Sequence, residues 1–127
     1  MTLDVFAWLK RAPKRPDVAE VRTSGVQFVG EQDGPVEQRV KAAWTPILAA
    51  TPKVSRAFLV RALYADSSQH VVLALCNGGS PDMDLVRALR VPYAAIFSSD
   101  CPLDMAFVSA AQEAQIARVC PPFYAVV

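Results

Sequence analysis

The sequence predicts an α+β domain: a mainly antiparallel or mixed sheet of four to five strands with helices packed on it. Three observations predict it. Short runs rich in β-branched and aromatic residues alternate along the chain with longer segments of helical periodicity. Two of those runs, Val54 to Tyr64 and His70 to Cys76, are separated only by the polar stretch Ala65-Asp66-Ser67-Ser68-Gln69, a spacing that predicts an antiparallel hairpin. The chain has 127 residues, 53% hydrophobic and 20% charged, which suits one globular domain able to bury a core without metal or disulfide.

Leu3, Phe6, Ala7 and Trp8, followed by Lys10 and Arg11, predict a short amphipathic helix with cations at the negative end of its dipole. Pro13 and Pro16 end it, so residues 1–24 read as a helix and a connector. Thr23-Ser24-Gly25 is a turn before the alternating Val26-Gln27-Phe28-Val29. Asp33 or Gly34 can cap, and Pro35 can open, a helix whose apolar face is Val36, Val40, Trp44, Ile47 and Leu48. Pro46 lies inside that pattern and should kink or divide it, because proline lacks the N–H and crowds the preceding turn. Thr51-Pro52 stops it.

In the next run Phe58, Val60, Ala62 and Tyr64 alternate with Ala57, Leu59, Arg61 and Leu63, so both faces are largely apolar and the strand should be central. After the hairpin, Ser80 is placed as a cap and Pro81 as a first helical residue, with Asp82 and Asp84 complementing the positive helix start. Leu85, Leu89, Tyr93, Ile96 and Phe97 form the apolar face of this helix, through an internal Pro92. Leu103 to Val108 alternates as a short strand. Ser109 then caps a last helix with core positions Ala111, Ile116, Val119 and Cys120. Helices layered on one face of the sheet, in a ferredoxin-like variant, satisfy this order.

The formal net charge of +1 gives no overall pull towards nucleic acid or an anionic membrane. Lys10, Arg11, Lys14, Arg15 and Arg22 do cluster, but Asp4, Asp17 and Glu20 offset them, so they read as a solvated arm and no nucleic-acid partner is expected. Asp4 stands where a secretory signal would carry a cation, and the apolar run Val71 to Cys76 is far short of a membrane span, so the cytoplasm is the expected compartment. Cys76, Cys101 and Cys120 are an odd set at wide spacings, which predicts reduced thiols.

No metal or other cofactor is expected, because one His and three scattered Cys match no zinc spacing. No Gly-x-Ser-x-Gly or Gly-x-Gly-x-x-Gly pattern occurs either. His70 reads as an exposed turn residue, remote from Cys76 along its strand, and no residue is nominated as catalytic. Two features are candidate sites. The loop Asn77-Gly78-Gly79-Ser80 offers backbone donors before a helix; Asp82 and Asp84 would repel a phosphate there, but a small amino-acid ligand is compatible. Cys101, in a loop between Asp100 and Pro102, is the candidate reactive thiol, although an adjacent carboxylate raises rather than lowers a thiol pKa.

The strand ending Val29-Gly30-Glu31, the start Val54-Ser55-Arg56-Ala57-Phe58-Leu59, the stretch Leu103 to Val108 and the closing Pro122-Phe123-Tyr124 together resemble one known domain. It is the C-terminal domain of the bacterial enhanced-serine-sensitivity (SseB) family, and the resemblance covers residues 25–127 as a single α+β domain. About 24 residues precede that stretch where larger family members carry a further domain, so the resemblance implies a shortened or stand-alone relative. The chain also departs from the family in its apolar ending Ala125-Val126-Val127.

The resemblance implies an accessory domain linked to serine tolerance, with no established reaction. On this reading the protein is a non-enzymatic interaction or regulatory module that associates with a second copy or another protein. The alternatives are an amino-acid sensor and a thiol-dependent sulfur-transfer accessory. Trp8, Phe123 and Tyr124 are the candidate interface residues, with the last two either a latch for the C-terminal tail or an exposed anchor.

Overall fold

The hairpin organises the sheet. In the computed structural model, which describes residues 26–97 and 103–126, β2 (Arg56–Tyr64) and β3 (Gln69–Cys76) pair antiparallel from Arg56↔Cys76 to Leu63↔Gln69. The predicted N-terminal helix, the basic cluster, Trp8 and Cys101 lie outside the described residues. The turn closes with Tyr64 N–H donating to the Ser68 carbonyl at 2.9 Å and Ser67 N–H to the Tyr64 carbonyl at 2.9 Å. Ser67 takes a left-handed φ of 70°. Asp66 steadies the turn by accepting from the Ser68 backbone N–H at 2.9 Å.

The other edge of β2 is shared by two strands. β1 (Val26–Glu31) runs antiparallel along its C-terminal half, from Val26↔Tyr64 to Glu31↔Val60, with a bulge between Phe28 and Gly30. β5 (Tyr124–Ala125) pairs antiparallel with its first residues, Arg56↔Ala125 and Ala57↔Tyr124. Gly30 carries no side chain where the Arg61 guanidinium crosses: a Cβ there would meet Nη2 at 2.8 Å. On the far side of the hairpin, β4 (Asp104–Val108) runs parallel to β3, from Val72↔Asp104 to Cys76↔Val108, after the crossover helix α2 (Met83–Ile96).

The result is an open mixed sheet in the order β1-β2-β3-β4, with β5 added to β2. The order of elements is that of a ferredoxin-like unit, but the sheet is not. There the crossover is split by an intervening strand, whereas here β3 and β4 are direct parallel neighbours.

Both faces are covered, which corrects the expected one-sided layering. Ala57, Leu59, Leu73, Leu75 and Met105 lie under α1 (Pro35–Ala49) and α2, against Val40, Trp44, Leu48, Leu85, Val86 and Leu89. Phe58, Val60, Val72, Ala74, Ala106 and Val108 point the other way, with Ile116 of α3 (Ala110–Ala117) and Cys120. The two-sided apolar pattern of β2 and β3 requires this, since a sheet apolar on both faces must be packed on both.

The helix ends differ from the sequence expectation at two points. Asp82, not Ser80, caps α2, its Oδ1 accepting from Leu85 N–H at 3.1 Å; Ser80 is instead held in the preceding loop, where its carbonyl accepts from the Asn77 side chain. Pro46 does not divide α1, which continues to Ala49. It sits in the last turn, where little helix remains to be disturbed, and Thr51 closes that end by donating from Oγ1 to the Ile47 carbonyl at 2.9 Å. α3 begins as expected, with Ser109 and Gln112 in a reciprocal capping box. Three predicted core positions, Val36, Ala111 and Val119, are exposed; the first two stand in the first turn of α1 and α3 and the third lies beyond the end of α3.

Candidate functional site

Two features lie at the hairpin end of the sheet: a polar cluster positioned by β2, β3 and β4, and a cleft between the sheet and the two helices α1 and α2. Tyr64 ends β2, His70 stands second in β3 and Asp104 opens β4. The Tyr64 and His70 rings stack with centroids 4.1 Å apart, and Tyr64 OH donates to Asp104 Oδ2 at 2.6 Å. His70 Nδ1 lies 3.3 Å from the same oxygen, and its Nε2 lies 2.7 Å from Ser68 Oγ. His70 is therefore no exposed turn residue: its side chain retains 26% of its exposure and Asp104 13%. No sequence signal marks the cluster: the parallel crossover makes it, by setting Asp104 beside Val72, one alternate position from His70.

Ser68, His70 and Asp104 stand in the order of a nucleophilic triad, but the turn is not built for acyl transfer. The Ser68 and Ser67 backbone N–H groups, the nearest donors for an oxyanion, are bonded to Asp66 and to the Tyr64 carbonyl. The Ser68 hydroxyl also has Asp66 Oδ1 at 2.5 Å as a competing acceptor. These hydrogen bonds to Ser68 hold the Asp66 carboxyl below its ordinary range. The arrangement ties a turn to a strand.

On the opposite face, a cleft of about 390 Å³ opens between the start of α1, the end of α2 and the sheet. Leu59 and Val71 floor it, the stacked Tyr93 and Phe97 rings (centroids 4.6 Å apart) wall it, and Gln32, Glu37 and Gln69 supply its polar groups. His70 also borders it. Trp44 stacks behind Tyr93, with centroids 6.1 Å apart, and fixes that wall to the core. Gln32 Nε2 donates to Glu37 Oε2 at 2.8 Å, so the amide and the carboxylate are oriented together.

The β1–α1 junction that carries Gln32 and Glu37 is anchored by Lys41, a charged residue only 5% exposed. Its Nζ lies 2.9 Å from Glu31 Oε2, 3.1 Å from Asp33 Oδ1 and 5.9 Å from the Phe123 ring centroid. Burial pushes the ammonium pKa down, but the bonds to Glu31 and Asp33 outweigh it and the net shift is upward. The Lys41 bond in turn holds Asp33 below the usual carboxylate range.

The predicted site residues are dispersed. Asn77 closes its own loop: its Nδ2 donates to the Ser80 carbonyl at 2.6 Å and its Oδ1 accepts from Gly79 N–H at 3.2 Å, with Gly78 and Gly79 at φ 83° and 85°. That loop is away from the cleft, and its Gly79 donor is already bonded. Phe123 and Tyr124 are half-buried. Phe123 N–H donates to the Ala57 carbonyl at 3.0 Å and its ring lies 5.9 Å from Trp44, while Tyr124 OH reaches the Leu48 carbonyl at 3.4 Å.

Both described thiols are buried. Burial and then the Glu113 carboxylate push the Cys76 pKa far up, and burial followed by Glu31 pushes Cys120 up to about 11. Among the described residues, no group of three or more His, Cys, Asp or Glu is placed to hold a metal ion, and no helix is long and apolar enough to cross a membrane. Comparison with family models, with curated proteins and with solved structures finds no match for this chain.

Proposed function

We propose that this chain is a cytoplasmic regulatory module of the enhanced-serine-sensitivity kind, and that its effector is a small amino acid bound in the cleft between α1, α2 and β3. The observation that carries the reading is the cleft itself. Its volume of about 390 Å³ falls at the small end of ligand sites, and it joins an apolar floor and aromatic wall to a few convergent polar groups. The Glu37 carboxylate suits an ammonium group, the amides of Gln32 and Gln69 can donate to a carboxylate, and Tyr93 and Phe97 offer faces to an apolar or cationic body.

The sulfur-transfer alternative rests on Cys101, which lies outside the described residues; Cys76 and Cys120 do not add to it, since burial and raised pKa values oppose their nucleophilic use. Regulation requires a partner, and a second copy or another protein fills that role in this proposal. A thermal-shift screen against the amino acids tests it. A ligand at 100 times its dissociation constant stabilises by about 2.7 kcal/mol, which for a domain of this size is several degrees in Tm. A shift with one amino acid, lost in Tyr93→Ala or Glu37→Gln, supports the reading; no shift with any of them ends it.

A further inference from the structure

Among the described residues, the cleft between α1, α2 and β3 is lined by one acid and by no lysine or arginine. The acid is Glu37, whose Oε2 accepts from Gln32 Nε2 at 2.8 Å. Two cations of the adjoining helix and strand lie outside the lining: Lys41 is buried on Glu31 and Asp33, and the Arg61 guanidinium crosses Gly30. His70 borders the cleft, but its Nδ1 lies 3.3 Å from Asp104 Oδ2, so any charge it carries is matched there.

A charge count restricts what can bind. An amino acid brings its own carboxylate to the site, where Glu37 already supplies one. A zwitterion offers a single cation, its ammonium, against those two carboxylates, and one of them is left with amide donors alone. An amino acid with a cationic side chain offers two cations, and the count closes. Charge withdrawn from water without a partner is costly, so the site favours the second ligand. Gln69 can still donate to the ligand's carboxylate, and so can Gln32, whose amide has a second hydrogen beyond the one given to Glu37.

The rings select the shape of the cation. Trp44, Tyr93 and Phe97 stand nearly parallel, with interplanar angles of 7° and 23° along the run, and Phe97 ends it among the described residues. A planar group laid on Phe97 continues the run. A guanidinium is planar and stacks on aromatic faces, whereas an ammonium is a compact point charge. We propose that the effector of the cleft is a guanidinium-bearing amino acid, with Glu37 as its counter-charge and its planar head stacked on Phe97. The inference rests on the reading of the cleft as an amino-acid site and adds to it the ligand's charge and shape.

The test is a set of amide NMR titrations of the intact chain with L-arginine, with L-citrulline, which keeps the planar head and loses its charge, and with L-lysine, which keeps the charge and loses the plane. Arginine should move the signals of Glu37, Gln69, Tyr93 and Phe97 with a dissociation constant about tenfold below that of citrulline, and lysine should fall between the two. Glu37→Gln removes one carboxylate from the count and should bring arginine and citrulline together. Citrulline or lysine binding as tightly as arginine overturns the inference, as does a ratio untouched by Glu37→Gln. A neutral amino acid that binds in the cleft while arginine does not overturns it and leaves the amino-acid reading standing, whereas silence from every amino acid ends both.

Discussion

Trp44 Nε1 donates to the carbonyl of Leu89 at 2.9 Å, and both residues are fully buried. This bond joins α1 to α2 behind the wall of the cleft, where Trp44 also stacks on Tyr93. Trp44→Phe removes the donor, shortens the ring and leaves a small void. It should destabilise the fold by about 1–3 kcal/mol, from a lost hydrogen bond plus cavity. Urea unfolding measures it, and a change within about 0.5 kcal/mol would mean the two helices are not coupled through this residue.

The two candidate caps of α2 can be told apart by a pair of substitutions. Asp82→Ala should cost about 1 kcal/mol, the usual worth of an N-cap whose oxygen meets an N3 backbone N–H, whereas Ser80→Ala should stay within about 0.5 kcal/mol. The opposite ranking would restore Ser80 to the helix start. Chemical denaturation of the two variants decides it.

Acid stability should report the Lys41 anchor. Asp33 is held below its ordinary pKa by the Lys41 bond, so its contribution is present above the unfolded-state value and is lost as pH falls through the lower folded value. Lys41 has the opposite sign: its raised pKa gives stability that is complete below the unfolded value near 10.4 and is lost as pH rises through the folded one. Lys41→Met should therefore flatten the dependence of Tm on pH at both ends. At neutral pH it should cost about 1–3 kcal/mol, below the figure for a wholly buried pair because Glu31 and Asp33 retain 29% and 44% side-chain exposure. Unaltered slopes would show that the ion pairs do not persist in solution.

Cys76 and Cys120 should resist alkylation in the native state. With Cys120 raised to about 11 and only 2% exposed, and Cys76 raised further beneath α3, iodoacetamide at pH 8 should modify them only as fast as the fold opens. Peptide mass spectrometry across a denaturant series should show both labelled along the unfolding curve. Rapid labelling without denaturant would place a thiol at the surface.

The sheet was legible in the sequence wherever the pattern is two-sided or strongly periodic. The alternation of Phe58, Val60 and Ala62 with Ala57 and Leu59 marks β2 as central, and the structure surrounds it with β1, β3 and β5. What was not legible is which strands become neighbours across long connections. The run from Leu103 to Val108 gives no sign that it pairs parallel with β3, and that pairing alone brings Asp104 to His70. The cleft is hidden for the same reason: the Gln32–Glu37 pair, Gln69 and Tyr93 come from three separated segments. Short-range chemistry misled at Asn77-Gly78-Gly79-Ser80, where the donors that suggested a ligand loop are partly used by Asn77 itself.

The most direct measurement of the central claim is a two-dimensional amide NMR titration of the protein with each amino acid in turn. The account predicts that one of them moves the backbone signals of Gln32, Glu37, Gln69, Val71, Tyr93 and Phe97 saturably, with a single dissociation constant, and that Tyr93→Ala abolishes the response. It is contradicted if none of the amino acids moves these signals, or if the signals that move are those of Asn77 to Ser80 while the cleft stays silent.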